Sequence, residues 1–112
     1  MSPQRIPEIT HLQFLVLGVL RHGERSGRVV RRTLKRHGID RSGPAFYQMM
    51  ARLEDAGLVN GEYAQKIIAG QIIKERRYAL TQRGDAAWTA TRTFYSDAIE
   101  QYGSVKARTA HA

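Results

Sequence analysis

The sequence predicts a mainly α-helical fold with one small β-hairpin. Three observations predict it. Apolar residues recur at helical spacing in four stretches, each opened by a capping residue and followed by a glycine. Between the third and fourth stretches the pattern turns strand-like around a short glycine turn. The 112 residues suffice for one compact domain and not for two.

The first stretch is dense: Leu12, Phe14, Leu15, Val16, Leu17, Val19 and Leu20. Thr10 can cap it, and Gln13 stands three residues later as in a capping box. Gly23 follows the run. A helix over about 11–21 is expected, buried on more than one side. Valine and phenylalanine also suit a strand, but the cap and the length favour a helix.

Ser26 caps a second helix running to His37. Val29, Val30, Thr33, Leu34 and His37 share one face. Arg28, Arg31, Arg32, Lys35 and Arg36 cover the remainder, and Gly38 ends the helix. Ser42-Gly43-Pro44 then starts a third helix, because proline in the first turn forfeits no hydrogen bond. It runs to Ala56. Phe46, Met49, Met50 and Leu53 form its apolar face, and Tyr47, Gln48, Ala51, Arg52 and Asp55 lie mainly opposite. Gly57 suits a left-handed cap.

Leu58-Val59 leads into a polar strand-like stretch to Ile68, a turn at Ala69-Gly70-Gln71 and a second run from Ile72 to Leu80. In that run Tyr78 and Leu80 share one face, and Arg77 and Ala79 the other. Lys66, Lys74, Arg76 and Arg77 put charge around the hairpin. Ile67, Ile68, Ile72 and Ile73 near its tip are unusual for a solvated loop. They suit either a neighbouring surface or the edge of a DNA groove.

Thr81 caps a last helix reaching about Tyr102, with Gly103 as its stop. Trp88, Thr91, Tyr95, Ala98 and Tyr102 step by three and four along it, widened by Ala87, Phe94 and Ile99. One side can cover the small core, and the other needs a partner or stays wet. Core packing alone also accounts for Trp88 and Tyr95. The order helix, helix, helix, hairpin, helix is that of a winged helix-turn-helix with a C-terminal dimerisation helix. The expected layout is a flexible N-terminus over 1–9, a winged helix-turn-helix DNA-binding domain over 10–81, a dimerisation helix over 82–103 and a disordered tail over 104–112.

Composition narrows the function. There are 18 basic and 10 acidic residues, a net charge of +8. From Arg21 to Arg41 eight basic residues face only Glu24 and Asp40, a field that attracts a polyanion. Cysteine is absent, which excludes disulfides and thiolate metal sites. No apolar run approaches the roughly 20 residues of a membrane span. Met1 to Glu8 lacks the apolar core of a signal peptide, so the cytoplasm is the expected compartment. His11, His22, His37 and His111 are isolated and show no metal-binding spacing. No enzymatic activity, metal or cofactor is expected.

Three blocks carry a resemblance. Leu17-Gly18-Val19-Leu20 precedes Ser26-Gly27; Phe46-Tyr47 and Arg52-Leu53-Glu54 precede Gly57-Leu58-Val59; Arg76-Arg77-Tyr78-Ala79-Leu80-Thr81 precedes Gly84. In order and spacing they resemble the PadR family of bacterial winged-helix regulators, from about Leu12 to Tyr102. The chain departs from it at Ser26-Gly27-Arg28, where the family has His-Gly-Tyr. It departs again at Gly43-Pro44, at Gln48 and at the wing tip. The resemblance implies a dimeric repressor joined through its last helix, and for some members a small aromatic or cationic effector near the dimer seam.

These readings give an expected set of contacts. The third helix is the one to enter the major groove, with Ser42, Tyr47, Gln48 and Arg52 as candidates. Gln48 suits adenine. Arg52 suits guanine, a phosphate, or a bridge to Glu54 or Asp55. Tyr47 is alternatively a core residue. Arg28, Arg32 and Arg36 suit phosphates from the second helix, and Lys74, Arg76 and Arg77 the DNA backbone or minor groove from the wing. Trp88 and Tyr95 offer rings to an effector. The expected partners are double-stranded DNA with a pseudo-palindromic operator and a second copy of the chain. The competing reading is a winged-helix protein-interaction module without sequence-specific DNA binding. Glu54 and Asp55 leave room for it; the basic second helix opposes it.

Overall fold

The computed structural model describes residues 5–106. Its elements are α1 (His11–Leu20), β1 (Arg25–Ser26), α2 (Gly27–Arg36), α3 (Gly43–Asp55), β2 (Val59–Ile68), β3 (Gln71–Leu80) and α4 (Gln82–Tyr102). Thr10, Ser26, Ser42 and Thr81 cap the four helices, each side chain accepting from a backbone N–H three residues on. At α1 the box is reciprocal. Gln13 N–H donates to Thr10 Oγ1 at 3.1 Å, and Thr10 N–H donates to Gln13 Oε1 at 3.0 Å.

The helices of the helix-turn-helix, α2 and α3, close in the same way. Gly38 and Gly57 adopt φ of +81° and +75°. That conformation lets Ile39 N–H return to the Leu34 carbonyl and Leu58 N–H to the Leu53 carbonyl, each at 3.0 Å. Gly57 thereby turns the chain from α3 directly into the hairpin. His37 is exposed at the C-cap of α2 and does not join its apolar face. The helix ends just before it, and Ile39 fills the edge of the core instead.

One core joins these elements. Val16, Leu17 and Leu20 of α1, Val30 and Leu34 of α2, and Phe46, Met50 and Leu53 of α3 meet Leu58, Val59 and Tyr78. Ile9 packs on its edge, so the end of the N-terminal stretch takes part in the fold. Residues 1–4 of the expected flexible N-terminus lie outside the described residues. Of the expected tail, Ser104, Val105 and Lys106 are exposed, and 107–112 lie outside the described residues.

Strands β2 and β3 pair antiparallel from Val59↔Leu80 to Ile68↔Gln71. Only Ala69 and Gly70 remain in the turn, at φ of +50° and +79°. Two positive values are what a type I′ hairpin turn requires. Gln71, expected in the turn, therefore begins β3. A third strand was not expected. β1 pairs with β3 through Arg25↔Tyr78 and Ser26↔Arg77, giving the sheet order β1-β3-β2.

The first half of α4 lies on the body. Trp88 stacks on Phe14 of α1 at 5.4 Å between centroids, and the Arg21 guanidinium sits 3.9 Å from the indole centroid. Thr91 is buried and donates its hydroxyl to the Ala87 carbonyl at 2.7 Å. Beyond Thr91 the helix projects. Tyr95, Ile99 and Tyr102 are exposed, and the molecule measures 69 × 34 × 22 Å.

Candidate nucleic-acid interface

The outer face of α3 carries Tyr47, Gln48, Ala51 and Arg52, all exposed. Their positions follow from the opposite face, where Phe46, Met50 and Leu53 are fully buried. Gln48 and Arg52 stand one turn apart, and neither side chain makes an internal hydrogen bond or ion pair among the described residues. Ser42 is engaged at the cap, accepting from Ala45 N–H at 3.3 Å.

Tyr47 does two things. Its ring meets Phe46 edge-on at 5.0 Å, and its hydroxyl lies across Gly27. A Cβ at Gly27 would stand 2.8 Å from that oxygen. The bare glycine lets α3 seat this ring against the start of α2. With 41% of its surface exposed, Tyr47 is neither a core residue nor a free one.

The cations of α2 fall into two groups. Arg31 donates through Nε and Nη2 to the Arg41 carbonyl at 3.1 and 2.9 Å, clamping the turn between the helices. Lys35 reaches Asp40 of the same turn at 3.7 Å. Arg28, Arg32 and Arg36 follow at successive four-residue steps, are exposed, and have no internal partner among the described residues. They form one unneutralised stripe.

The wing divides similarly. Lys74 is exposed and unpaired among the described residues. Arg76 is held inward. Its Nη2 donates to Glu54 Oε1 at 2.6 Å, and its guanidinium lies 4.8 Å from the Tyr63 ring centroid. Burial opposes its charge, yet Glu54 and Tyr78 outweigh burial and raise its pKa further. Arg77 donates to Glu24 at 2.7 Å and to Glu75 at 3.3 Å. Its pKa is raised chiefly by the Glu24 hydrogen bond. Burial pushes the Tyr78 hydroxyl up to about 12. Arg76 thus ties the wing to the end of α3, and Arg77 ties it to the loop before β1. Gly61 leaves room for the first tie, since a side chain there would crowd both Glu54 and Arg76.

A cleft of about 600 Å³ opens between α3 and the wing, bordered by Arg28, Tyr47, Glu54, Tyr63, Lys74 and Arg76. Glu54 is neutralised by Arg76, and Glu75 by Arg77 and by Lys66 at 3.6 Å. The charges left over are those of Arg28 and Lys74, so the cleft presents positive potential. Among the described residues no group of three or more histidines or acids could hold a metal, and no helix is long and apolar enough to cross a membrane.

The series along α4 is divided. Trp88 and Thr91 face their own chain, whereas Tyr95 and Tyr102 face outward and Ala98 lies between them, half-buried. Trp88 is already covered by Phe14 and Arg21, and Tyr95 meets Phe94 edge-on at 5.3 Å.

Sequence reasoning missed β1 and the carboxylates that hold Arg76 and Arg77. The faint signal was strand alternation, which places Arg76 on the inward face with Tyr78.

No protein-family model and no curated protein matches the chain by sequence. Solved structures do. A PadR-family transcriptional regulator from Eggerthella lenta is 25% identical, with a TM-score of 0.64 over 82% of this chain and 78% of that one. A PadR-like transcription factor from Bacteroides fragilis is 15% identical, with a TM-score of 0.70 over 82% and 86%. Bacillus subtilis PadR, in complex with operator DNA, is 19% identical, with a TM-score of 0.60 over 82% of this chain and 61% of that one. By its four helices and its wing, the chain has a winged helix-turn-helix fold similar to that of these PadR-family regulators.

Proposed function

We propose that the chain is a sequence-specific, double-stranded-DNA-binding transcriptional regulator that acts in the cytoplasm as a homodimeric repressor. One observation carries the reading: Arg28, Arg32 and Arg36, unpaired among the described residues, flank an α3 face whose Gln48 and Arg52 side chains are exposed and have no partner among those residues. The operator complex of the Bacillus subtilis protein supports it.

In this reading α3 enters the major groove. Gln48 reads adenine through its amide, and Arg52 reads guanine. Arg28, Arg32 and Arg36 neutralise phosphates, Lys74 does so from the wing, and Tyr47 and the N-terminus of α3 at Ser42 fix the register. Arg76 and Arg77 act one step back, holding the wing at its angle. The unit over 10–81 reads DNA, and the helix over 82–103 joins two copies through Tyr95, Ala98, Ile99 and Tyr102. Two-fold symmetry then places half-sites about 34 Å apart, or a multiple of that, on a pseudo-palindrome. A small dimer seated there represses by excluding polymerase. The competing interaction-module reading drew on Glu54 and Asp55; Glu54 is occupied by Arg76, while Asp55 is exposed.

Selection from random duplex DNA by the purified chain, followed by titration over a salt series, tests this. The expected result is a two-fold motif and an affinity that falls steeply with salt, with a log–log slope of about −0.9 per phosphate neutralised. Recovery of no motif would overturn operator recognition.

A further inference from the structure

The wing tip is apolar where a solvated loop is expected. Ile67 and Ile72 are 75% and 68% exposed and stand directly opposite each other in the register. Alternation fixes their face. Gly61↔Tyr78, Tyr63↔Arg76, Gln65↔Lys74 and Ile67↔Ile72 all share one side of the ribbon. That side bears the Arg76 that meets Glu54 of α3. The isoleucine pair therefore lies on the α3-facing side of the wing, in line with the unpaired Lys74.

Whatever α3 engages also meets this face. From Gln65 to Lys74 the ribbon carries two lysines and no acid, which suits a polyanion and opposes a second, equally basic wing. Reach agrees. Arg76 to Ile72 is four residues, ~13 Å at ~3.3 Å per residue. Neighbouring grooves of a duplex are offset by roughly half of a ~34 Å turn, ~17 Å. With α3 in the major groove, the tip arrives at the adjacent minor groove.

Resting on the DNA-binding reading, we propose that Ile67 and Ile72 form an apolar wedge that enters the minor groove, opens one base step and bends the duplex. Apolar side chains on minor-groove-binding proteins partly unstack a step and kink the helix toward the major groove. The wedge adds sequence preference at a position no hydrogen bond reads, because pyrimidine–purine steps open most readily. Lys74, on the same face, neutralises the phosphate beside the opened step.

The test uses the full chain and a duplex recovered by selection, dye-labelled at its ends and carrying 2-aminopurine at successive positions under the wing. The wild type shortens the end-to-end distance and brightens 2-aminopurine at one step. Ile67→Thr/Ile72→Thr keeps β-branched residues on exposed strand positions, so the hairpin is retained. It binds within ~10-fold of the wild-type affinity but loses the bend and the brightening. An unchanged bend and brightening in the variant would overturn the wedge, as would their absence from the wild-type complex. So would a change in oligomeric state with the DNA geometry untouched, which assigns the patch to contact between copies. Failure of the wild type to bind any duplex overturns the DNA-binding reading itself and is distinct from the other outcomes.

Discussion

At the scale of residues, neighbours decide which charges are available. The chain has many arginines on α2, α3 and the wing, and the sequence singles out Arg28, Arg32, Arg36, Arg76 and Arg77 alike for the DNA backbone. The structure separates Arg28, Arg32 and Arg36, which are unpaired among the described residues, from Arg31, Arg76 and Arg77, which hold backbone or carboxylates. The two carboxylate ties are illegible in the sequence, because Arg76 finds Glu54 22 positions away and Arg77 finds Glu24 53 positions away. A prediction at this scale concerns Tyr78, whose pKa burial raises from 10.0 to about 12. The folded state favours the neutral phenol, so its stabilising contribution is complete below pH 10 and is lost as pH rises through 12. Unfolding titrations of the wild type and Tyr78→Phe at pH 9 and pH 12 read it. The wild type loses about 2–3 kcal/mol more over that interval than the phenylalanine variant. Parallel losses would contradict the assignment.

At the scale of elements, local signals made the fold legible. Each of the four helices has its own cap, and α2 and α3 end on a glycine that the left-handed turn requires. These signals lie within a few residues of the structure they specify. β1 carried none, since two residues become a strand only by pairing with β3 more than fifty positions on. The hairpin turn adds a prediction. Ala69 is the one non-glycine residue at positive φ among the described residues, a conformation that costs an L-residue about 1–2 kcal/mol. Ala69→Gly relieves that strain, and Ala69→Asn relieves part of it. Hydrogen exchange at the amides of the wing tip slows in both variants. Faster exchange in both would mean that the turn is not of this type.

At the scale of the whole molecule, the shape states what is unfinished. The first half of α4 packs on α1 through Trp88 and buries Thr91, while the second half carries Tyr95, Ile99 and Tyr102 into solvent. A seam readable in sequence as one continuous series is thus two surfaces, because helical spacing reports a face and not what covers it. Dimerisation through the outer half predicts that Tyr95→Ser/Ile99→Ser dissociates the dimer. Both residues are exposed in the isolated chain, so its fold survives the change. Sedimentation equilibrium with circular dichroism reads both properties; an unchanged dimer would place the interface elsewhere. Loss of the dimer also weakens binding to a two-fold operator far more than to a single half-site, since one half-site no longer tethers the other.

The central claim is that the outer face of α3 reads base sequence while the α2 stripe holds phosphates. It is tested most directly by titrating one selected duplex, and a set of single-base changes in it, with the wild type, Gln48→Ala and Arg32→Ala. The expected result is that Gln48→Ala abolishes discrimination at one base pair, worth about 1–3 kcal/mol, and leaves the other positions unchanged. Arg32→Ala weakens every duplex alike and reduces the magnitude of the salt slope by about 1. Uniform weakening by Gln48→Ala, with discrimination intact at every position, would mean that α3 does not read bases through Gln48.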